Sequence, residues 1–339
     1  MTKLEAQKRI KILKKEINRH RYLYHVLDKP EISDAALDSL KHELFQIERQ
    51  FPDLITSDSP TQRVGGEPLD RFEKVKHKIP MLSLEDAFTG QELEDWQTKI
   101  QKLVPDKKID FFAELKVDGF AISLVYENGI LREGSTRGDG KVGEDVTQNL
   151  KTISSIPLKI EIHKNLPSQK IEESIKKLFQ KGEIEARGEV YMTTKVFEKV
   201  NEERKKKGEP LYANPRNTAA GSIRQLDPKI AASRQLNFLA FDIVTDLGQK
   251  THQEEHQIAE SLGFKTDKGK YCRGLKEVID FWEKIRKERE NLPYQIDGIV
   301  VSVNNNKIYE KLGVVGKAPR GAIAFKFPGK EATTIVENI

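Results

Sequence analysis

The sequence predicts an α+β protein with antiparallel sheets, preceded by a small all-helical domain. Three observations carry this reading. Apolar residues recur at helical spacing through the first 52 residues. After Lys74 short apolar strands return locally through turns. Charged helical stretches then fall between those strands.

In chain order, Ile10, Leu13, Ile17 and Tyr24 form one helical stripe. Leu37, Leu40, Leu44, Ile47 and Phe51 form a second, with Ser33 as its N-cap and Pro52 as its stop. From Pro52 to Arg71 the chain is rich in Asp, Ser, Pro, Thr and Gly, including Gly65-Gly66, and reads as a linker. Residues 110–115 and 120–126 read as strands. Asn128-Gly129 is a two-residue hairpin turn that returns the chain through residues 130–136. Further strands are expected at 185–192, 236–244, 296–303 and 321–327, with charged helices at 193–207 and 275–289. The charged, amphipathic stretch 164–181 reads as an exposed insertion. Domain boundaries follow at about 1–70 and 71–328, and residues 329–339 begin a segment too short to fold alone.

Composition narrows the class. Hydrophobic residues are 37% and charged residues 33% of 339, with a mean hydropathy of −0.60. No apolar run approaches the roughly 18 residues of a membrane span. The N-terminus, Met1 to Glu5, lacks the apolar centre of a signal peptide, so a cytoplasmic protein is expected. The single cysteine, Cys272, excludes an internal disulfide and a cysteine-rich zinc site. A formal charge of +5 is compatible with nucleic acid without pointing to it.

Glu114-Leu115-Lys116-Val117-Asp118-Gly119 lies where one expected strand ends and the next begins. An amine at a strand end, followed by an acid and a flexible glycine, suits a nucleophile facing a nucleotide. Alone, however, the tetrad Lys-x-Asp-Gly also describes a common surface turn. Its company decides the reading. Met81 to Phe88 (MLSLEDAF) precedes it. Ser135 to Gly140 (STRGDG), Arg187 to Tyr191 (RGEVY), Asn214 to Asn217 (NPRN) and Gly221 to Leu226 (GSIRQL) follow, and then Ile296 to Val300 (IDGIV) and Ala324 to Pro328 (AFKFP). This ordered set resembles the adenylation domain of the covalent nucleotidyltransferases, and bacterial NAD+-dependent DNA ligases in particular. The resemblance covers essentially the whole chain.

The resemblance implies an enzyme that takes AMP from NAD+ onto Lys116, releasing nicotinamide mononucleotide, as the first step of sealing nicks in duplex DNA during replication and repair. Lys116 is then the nucleophile. A free lysine is almost wholly protonated at neutral pH, and burial beside a second cation favours the neutral amine. Lys326 is the candidate cation and would also neutralise charge on the α-phosphate. Asp118 counts with the catalytic residues, binding ribose or helping to place metal. Tyr24, His25, Asp34 and Asp38 resemble the family's nicotinamide-mononucleotide module in the helical domain. Glu114 and the backbone at Ser83 and Leu84 are expected at the adenine, Arg137 and Glu189 at the ribose, and Phe241 stacked on the base. Arg216 and Arg224 suit phosphates, and Arg289 is a further nucleotide contact. Asp297 supports metal or lysine geometry, and Glu189 and Asp297 are the expected ligands of Mg2+ or Mn2+.

Two positions depart from the family. It usually has tyrosine at Leu37 and lysine at Ser302, so the nicotinamide contact and the adenine contact are each expected to weaken. The expected partners are NAD+ and nicked duplex DNA, without a membrane, for a monomer. In the family, further domains follow, zinc belonging to that C-terminal part, and the chain is expected to be a fragment without them. The rival readings are a catalytically weak nucleotide- or nick-binding module, and an ATP-using ligase.

Overall fold

A computed structural model describes residues 1–63 and 69–329. Gly65-Gly66 and the expected segment from 330 onward lie outside the described residues. The chain packs as two units. One holds Met1–Leu82, Val117–Lys268 and Pro293–Gln295; the other holds Ser83–Lys116, Gly269–Leu292 and Ile296 onward.

In the first unit, the stripes form helices Lys3–His25 and Asp34–Gln50. A capping box between Thr2 and Glu5 starts the first, and Ser33 caps the second by accepting from the Ala36 amide. Their apolar faces meet in a core of Ala6, Ile10, Leu13, Ile17, Leu37, Leu44 and Ile47. Leu37, 7% exposed, is plain core. Tyr24 leaves its predicted stripe for the surface, and Tyr22 takes the buried place. The linker reading fails over 52–63. That stretch folds as two 3-10 turns, Pro52–Leu54 and Pro60–Arg63, because Glu48 is buried and needs donors. Ser59 Oγ supplies one at 2.6 Å and Thr61 Oγ1 another.

The helical region is fixed to the rest of its unit by two arginines and by an ion pair between Lys265 and Asp28 at 2.8 Å. Arg63 donates to the carbonyls of Lys151, Ile153 and Ile156 at 2.9–3.0 Å, and Arg21 to that of Ser154 at 3.0 Å. Tyr22 stacks on His163 with ring centroids 4.2 Å apart. Burial, with no carboxylate among the described residues bonded to either guanidinium, pushes Arg63 down to about 9 and Arg21 to about 10. Burial, and then these same cations with Lys41 and Lys265, pushes His25 down to about 4.

The body of this unit is a four-stranded antiparallel sheet in the order Ile130–Thr136, Phe120–Glu127, Glu183–Tyr191, Asn237–Ile243. Asn128 and Gly129 turn with φ of 51° and 79°, the positive pair that a type I′ hairpin requires. Ile122, Leu124, Ala186, Val190, Phe238 and Ala240 face a core shared with Leu150, Ile153 and Phe264. Alternation therefore puts Ala121, Ser123, Glu185, Arg187 and Glu189 on the opposite face. The stretch 164–181 is not an exposed insertion. Helix Gln169–Gln180 buries Ile171 and Ile175 in that core and leaves its charges outside.

The second unit holds a five-stranded sheet in the order Glu85–Ala87, Ala322–Lys326, Ile296–Val303, Phe111–Val117, Lys270–Cys272. The first pair is parallel. Ile299, Val301, Ile323, Phe325, Phe111 and Ala113 pack against Trp96 and Trp282 from helices Gly90–Leu103 and Leu275–Glu288. The other face consequently carries Glu114, Lys116, Val300, Ser302, Ala324 and Lys326.

Two expectations follow. Arg63→Ala strips donors from three carbonyls and should destabilise the protein by about 1–3 kcal/mol in urea unfolding followed by circular dichroism. His25 is held neutral, so between pH 6.5 and about 4 the unfolded chain binds a proton that the folded chain refuses. Stability should therefore fall across that window as pH drops, and thermal unfolding of His25→Asn should show a shallower fall.

Candidate active site

The strand order of the second unit sets four side chains in a row at one sheet end. Asp86, Lys326, Asp297 and Lys116 come from four consecutive neighbours. Asp297 is the link. Its Oδ2 accepts from Lys326 Nζ at 2.5 Å, and Lys116 Nζ stands 3.4 Å from its Oδ1. Lys326 also lies 3.8 Å from Asp86 Oδ1, so charge alternates along the row. Both lysine side chains are mostly buried, at 23% and 19% exposure.

Local sequence explains how the row is built. Gly298 pairs with Lys326, and a Cβ there would come within 2.3 Å of Phe325 O and 2.8 Å of Lys326 Cα. Glycine thus lets two strands approach closely where Asp297 and Lys326 meet. The Phe327 amide donates to the Asp297 carbonyl at 2.9 Å, fixing the same spot from the backbone. Glu114 and Ser302, 5% exposed each, lie on the same face as Lys116. Ser83 donates its amide to Lys317 O at 2.9 Å, and Leu84 follows it, half-buried. Arg289, half-buried, lies over the Phe327 ring at 5.3 Å and beside Glu290.

The remaining expected residues belong to the first unit. Asp118 holds Arg216 at 3.1 Å, and its amide donates to Gln295 O at 2.9 Å. Gly119 makes room for Glu189, since a Cβ there would fall 2.7 Å from Glu189 Cγ. Glu189 pairs with Ala121, whose carbonyl accepts from the Arg137 amide at 3.2 Å. Asp118, Arg216, Glu189 and the Arg137 turn are thus neighbours. The turn depends on Gly138 and Gly140, at φ of +56° and +94°. Phe241 is the extra residue of a β-bulge, because Gly188 pairs with Ala240 and Arg187 with Asp242. Bulges re-aim side chains, and this one leaves Phe241 half-buried.

Arg224 forks onto Glu144 at 2.8 and 3.2 Å. Burial opposes the charge of Glu144, but Arg224 and Lys74 hold its pKa below the ordinary carboxylate value. On the helical region, Tyr24 and His25 lie side by side with ring centroids 4.7 Å apart. Asp34 and Asp38 are exposed on the second helix, Asp38 pairing with Lys41 at 3.1 Å.

Sequence reasoning missed Asp86, Glu144 and Glu185 as partners of motif residues. Asp86 stood inside a quoted motif, so its position was a usable signal. Glu144 lies 80 residues from Arg224, and no local pattern marks that pair. A magnesium ion suits Asp297 in one respect. Its Oδ1 is buried and accepts no hydrogen bond from the described residues, a hard oxygen of the kind Mg2+ prefers. Among the described residues no helix is long and apolar enough to cross a membrane.

Comparison with known proteins agrees with this arrangement. The family model for the NAD-dependent DNA ligase adenylation domain matches residues 69–330, and that for the DNA ligase-like N-terminal NAD+-binding domain matches residues 3–65. A DNA ligase of Halothermothrix orenii is 46% identical over 337 residues, covering 99% of this chain and 48% of that protein. One from Brevibacillus brevis is 47% identical over 342 residues, covering 100% and 48%. One from Thermoanaerobacter sp. strain X514 is 48% identical over 339 residues, covering 99% and 48%. The chain thus spans about half the length of these curated relatives. A lysine at a strand end, tied through one aspartate to a second lysine, lies inside those matched residues, and the chain belongs to the NAD-dependent DNA ligase family.

Proposed function

We propose that the chain transfers AMP from NAD+ to Lys116, releasing nicotinamide mononucleotide, and that this adenylate serves the sealing of nicked duplex DNA. The observation that carries the reading is the Asp297 carboxylate set between Lys116 and Lys326. In the reaction the Lys116 Nζ lone pair forms a bond to the adenylyl phosphorus. The bond from that phosphorus to the bridging oxygen breaks, and the oxygen leaves on nicotinamide mononucleotide. Before the attack Lys116 Nζ gives up its ammonium proton to solvent, which partial burial near the Lys326 cation favours. Lys326 holds positive charge at the same sheet end, where the phosphoryl oxygens gain negative charge.

Asp297 would hold a magnesium ion, and Glu189, in the other unit, is proposed separately as a ligand. Such an ion would supply positive charge to the phosphate. Arg137 and Glu189 are proposed for the ribose, with Phe241 on the base and Ser83, Leu84, Glu114 and Arg289 as further nucleotide contacts. Tyr24, His25, Asp34 and Asp38 are proposed for the nicotinamide half. His25 is an uncharged partner there: an imidazole that stays neutral above about pH 4 does not repel a cationic ring. Arg216 and Arg224 are proposed for phosphates, each being held by an acid that a phosphate can replace.

Intact-mass measurement tests the reading. NAD+ with magnesium should add one AMP, ATP should add none, and Lys116→Ala should abolish the adduct. Asp297→Asn should slow adduct formation on the order of a hundredfold. An adduct surviving in Lys116→Ala refutes the assignment.

Ser302 supports a separate expectation. It is buried on the Lys116 face and offers only a short hydroxyl there. Ser302→Lys should strengthen NAD+ binding or speed single-turnover adenylation by about three- to thirty-fold, the worth of a restored charged hydrogen bond.

A further inference from the structure

Residues 77–81 run as a strap between two parts of the first unit. Along one edge the His77 amide donates to Lys141 O at 2.9 Å, and the Met81 amide to Gly140 O at 2.8 Å. The His77 ring places Nε2 3.1 and 3.2 Å from the carbonyls of Thr136 and Arg137. A Cβ on Gly140 would stand 2.7 Å from Met81 O, so the strap and the turn touch backbone to backbone. Along the other edge lies Arg187, 6% exposed. Its Nη1 donates to Pro80 O at 3.1 Å and its Nη2 to Ile79 O. Its Nε donates to Glu185 Oε1 at 2.8 Å, and Ser123 Oγ donates to that same oxygen at 2.8 Å.

A guanidinium is a rigid planar fork, and here it is turned by a carboxylate that a serine has already fixed. Donation to two successive carbonyls sets both the height and the tilt of the strap. An apolar side chain of similar volume would fill the space without fixing either. Glu189 lies two residues beyond Arg187 on the same strand and the same face. Arg137 begins the turn on the far edge of the strap.

We infer that Arg187 is a positioning residue for nucleotide binding, acting through strap 77–81 to fix the Arg137 turn against the strand that bears Glu189. The inference rests on the proposed placement of ribose at Arg137 and Glu189. Loosening the strap then lets those two groups drift apart. Ground-state binding of NAD+ suffers, while the lysine and aspartate that carry out the transfer stay as they are.

The test is single-turnover adenylation across NAD+ concentration for wild type, Arg187→Met and Arg187→Lys, with thermal unfolding alongside. Arg187→Met should raise half-saturating NAD+ by about tenfold or more and change the limiting rate by less than about threefold. Arg187→Lys, which keeps a charged donor, should recover part of the loss. Gly140→Ala, pushing the strap from its other edge, should give the same split even if Arg187→Met does not fold. Unchanged half-saturation in folded Arg187 variants overturns the inference, as does a fall in limiting rate alone. If wild type forms no AMP adduct, the adenylation reading fails by itself. Calorimetric binding of NAD+ to wild type and Arg187→Lys then tests the strap separately, equal affinity overturning it.

Discussion

One carboxylate between two amines organises one end of the sheet in the second unit. Asp297 can reach Lys116 and Lys326 together only because their strands are its immediate neighbours. The Lys326 strand can approach that closely because residue 298 is glycine. The apolar face of the same strands, seated on Trp96 and Trp282, keeps the register that makes the row possible. A one-residue slip would turn Lys116 into that core and Leu115 out of it. The position of Lys116 is thus a property of sheet register more than of its own motif.

The first unit shows a different economy of charge. Its motif arginines are not idle: Asp118 holds Arg216, and Glu144 holds Arg224. Both arginine side chains are more than half exposed, so these pairs are screened and weak. A phosphate, with more charge and more acceptors than a carboxylate, can take over such a guanidinium at low cost. Buried Arg187 and Arg63 are the opposite case. Their donors go to carbonyls, apart from the Arg187 Nε that bonds Glu185, and they act as framework.

Much of the fold was legible in the sequence because local signals and packing agree. Asn128-Gly129 gave its hairpin, and strands 130–136 and 296–303 fall where alternation and turn residues put them. Errors came where partners are remote. The polar stretch 52–63 reads as linker until one knows that Glu48 lies buried beneath it. Helix Gln169–Gln180 reads as surface because Ile171 and Ile175 are few among many charges, yet with Leu178 and Phe179 they seat it on the core. Tyr24 kept the helical period while Tyr22 found a stacking partner 141 residues away in His163. For the site, motifs gave the residues but not their pairings. Asp118 to Arg216 spans 98 residues and Asp297 to Lys326 spans 29, distances over which only the folded sheets decide who meets whom.

The joint between the helical region and its unit has a further consequence. Its polar contacts are guanidinium-to-carbonyl bonds and an ion pair between Lys265 and Asp28 at 2.8 Å, with an aromatic stack beside them. Hydrogen bonds of this kind can be exchanged for water one at a time, and neither helical partner depends on the joint for its own core, which is closed by Ile10, Leu13, Leu44 and Ile47 on one side. Charge screening by added salt acts on the exposed Lys265–Asp28 pair and has little hold on the buried guanidinium-to-carbonyl bonds. The joint therefore behaves as a latch that responds chiefly to competition for hydrogen bonds and only weakly to ionic strength.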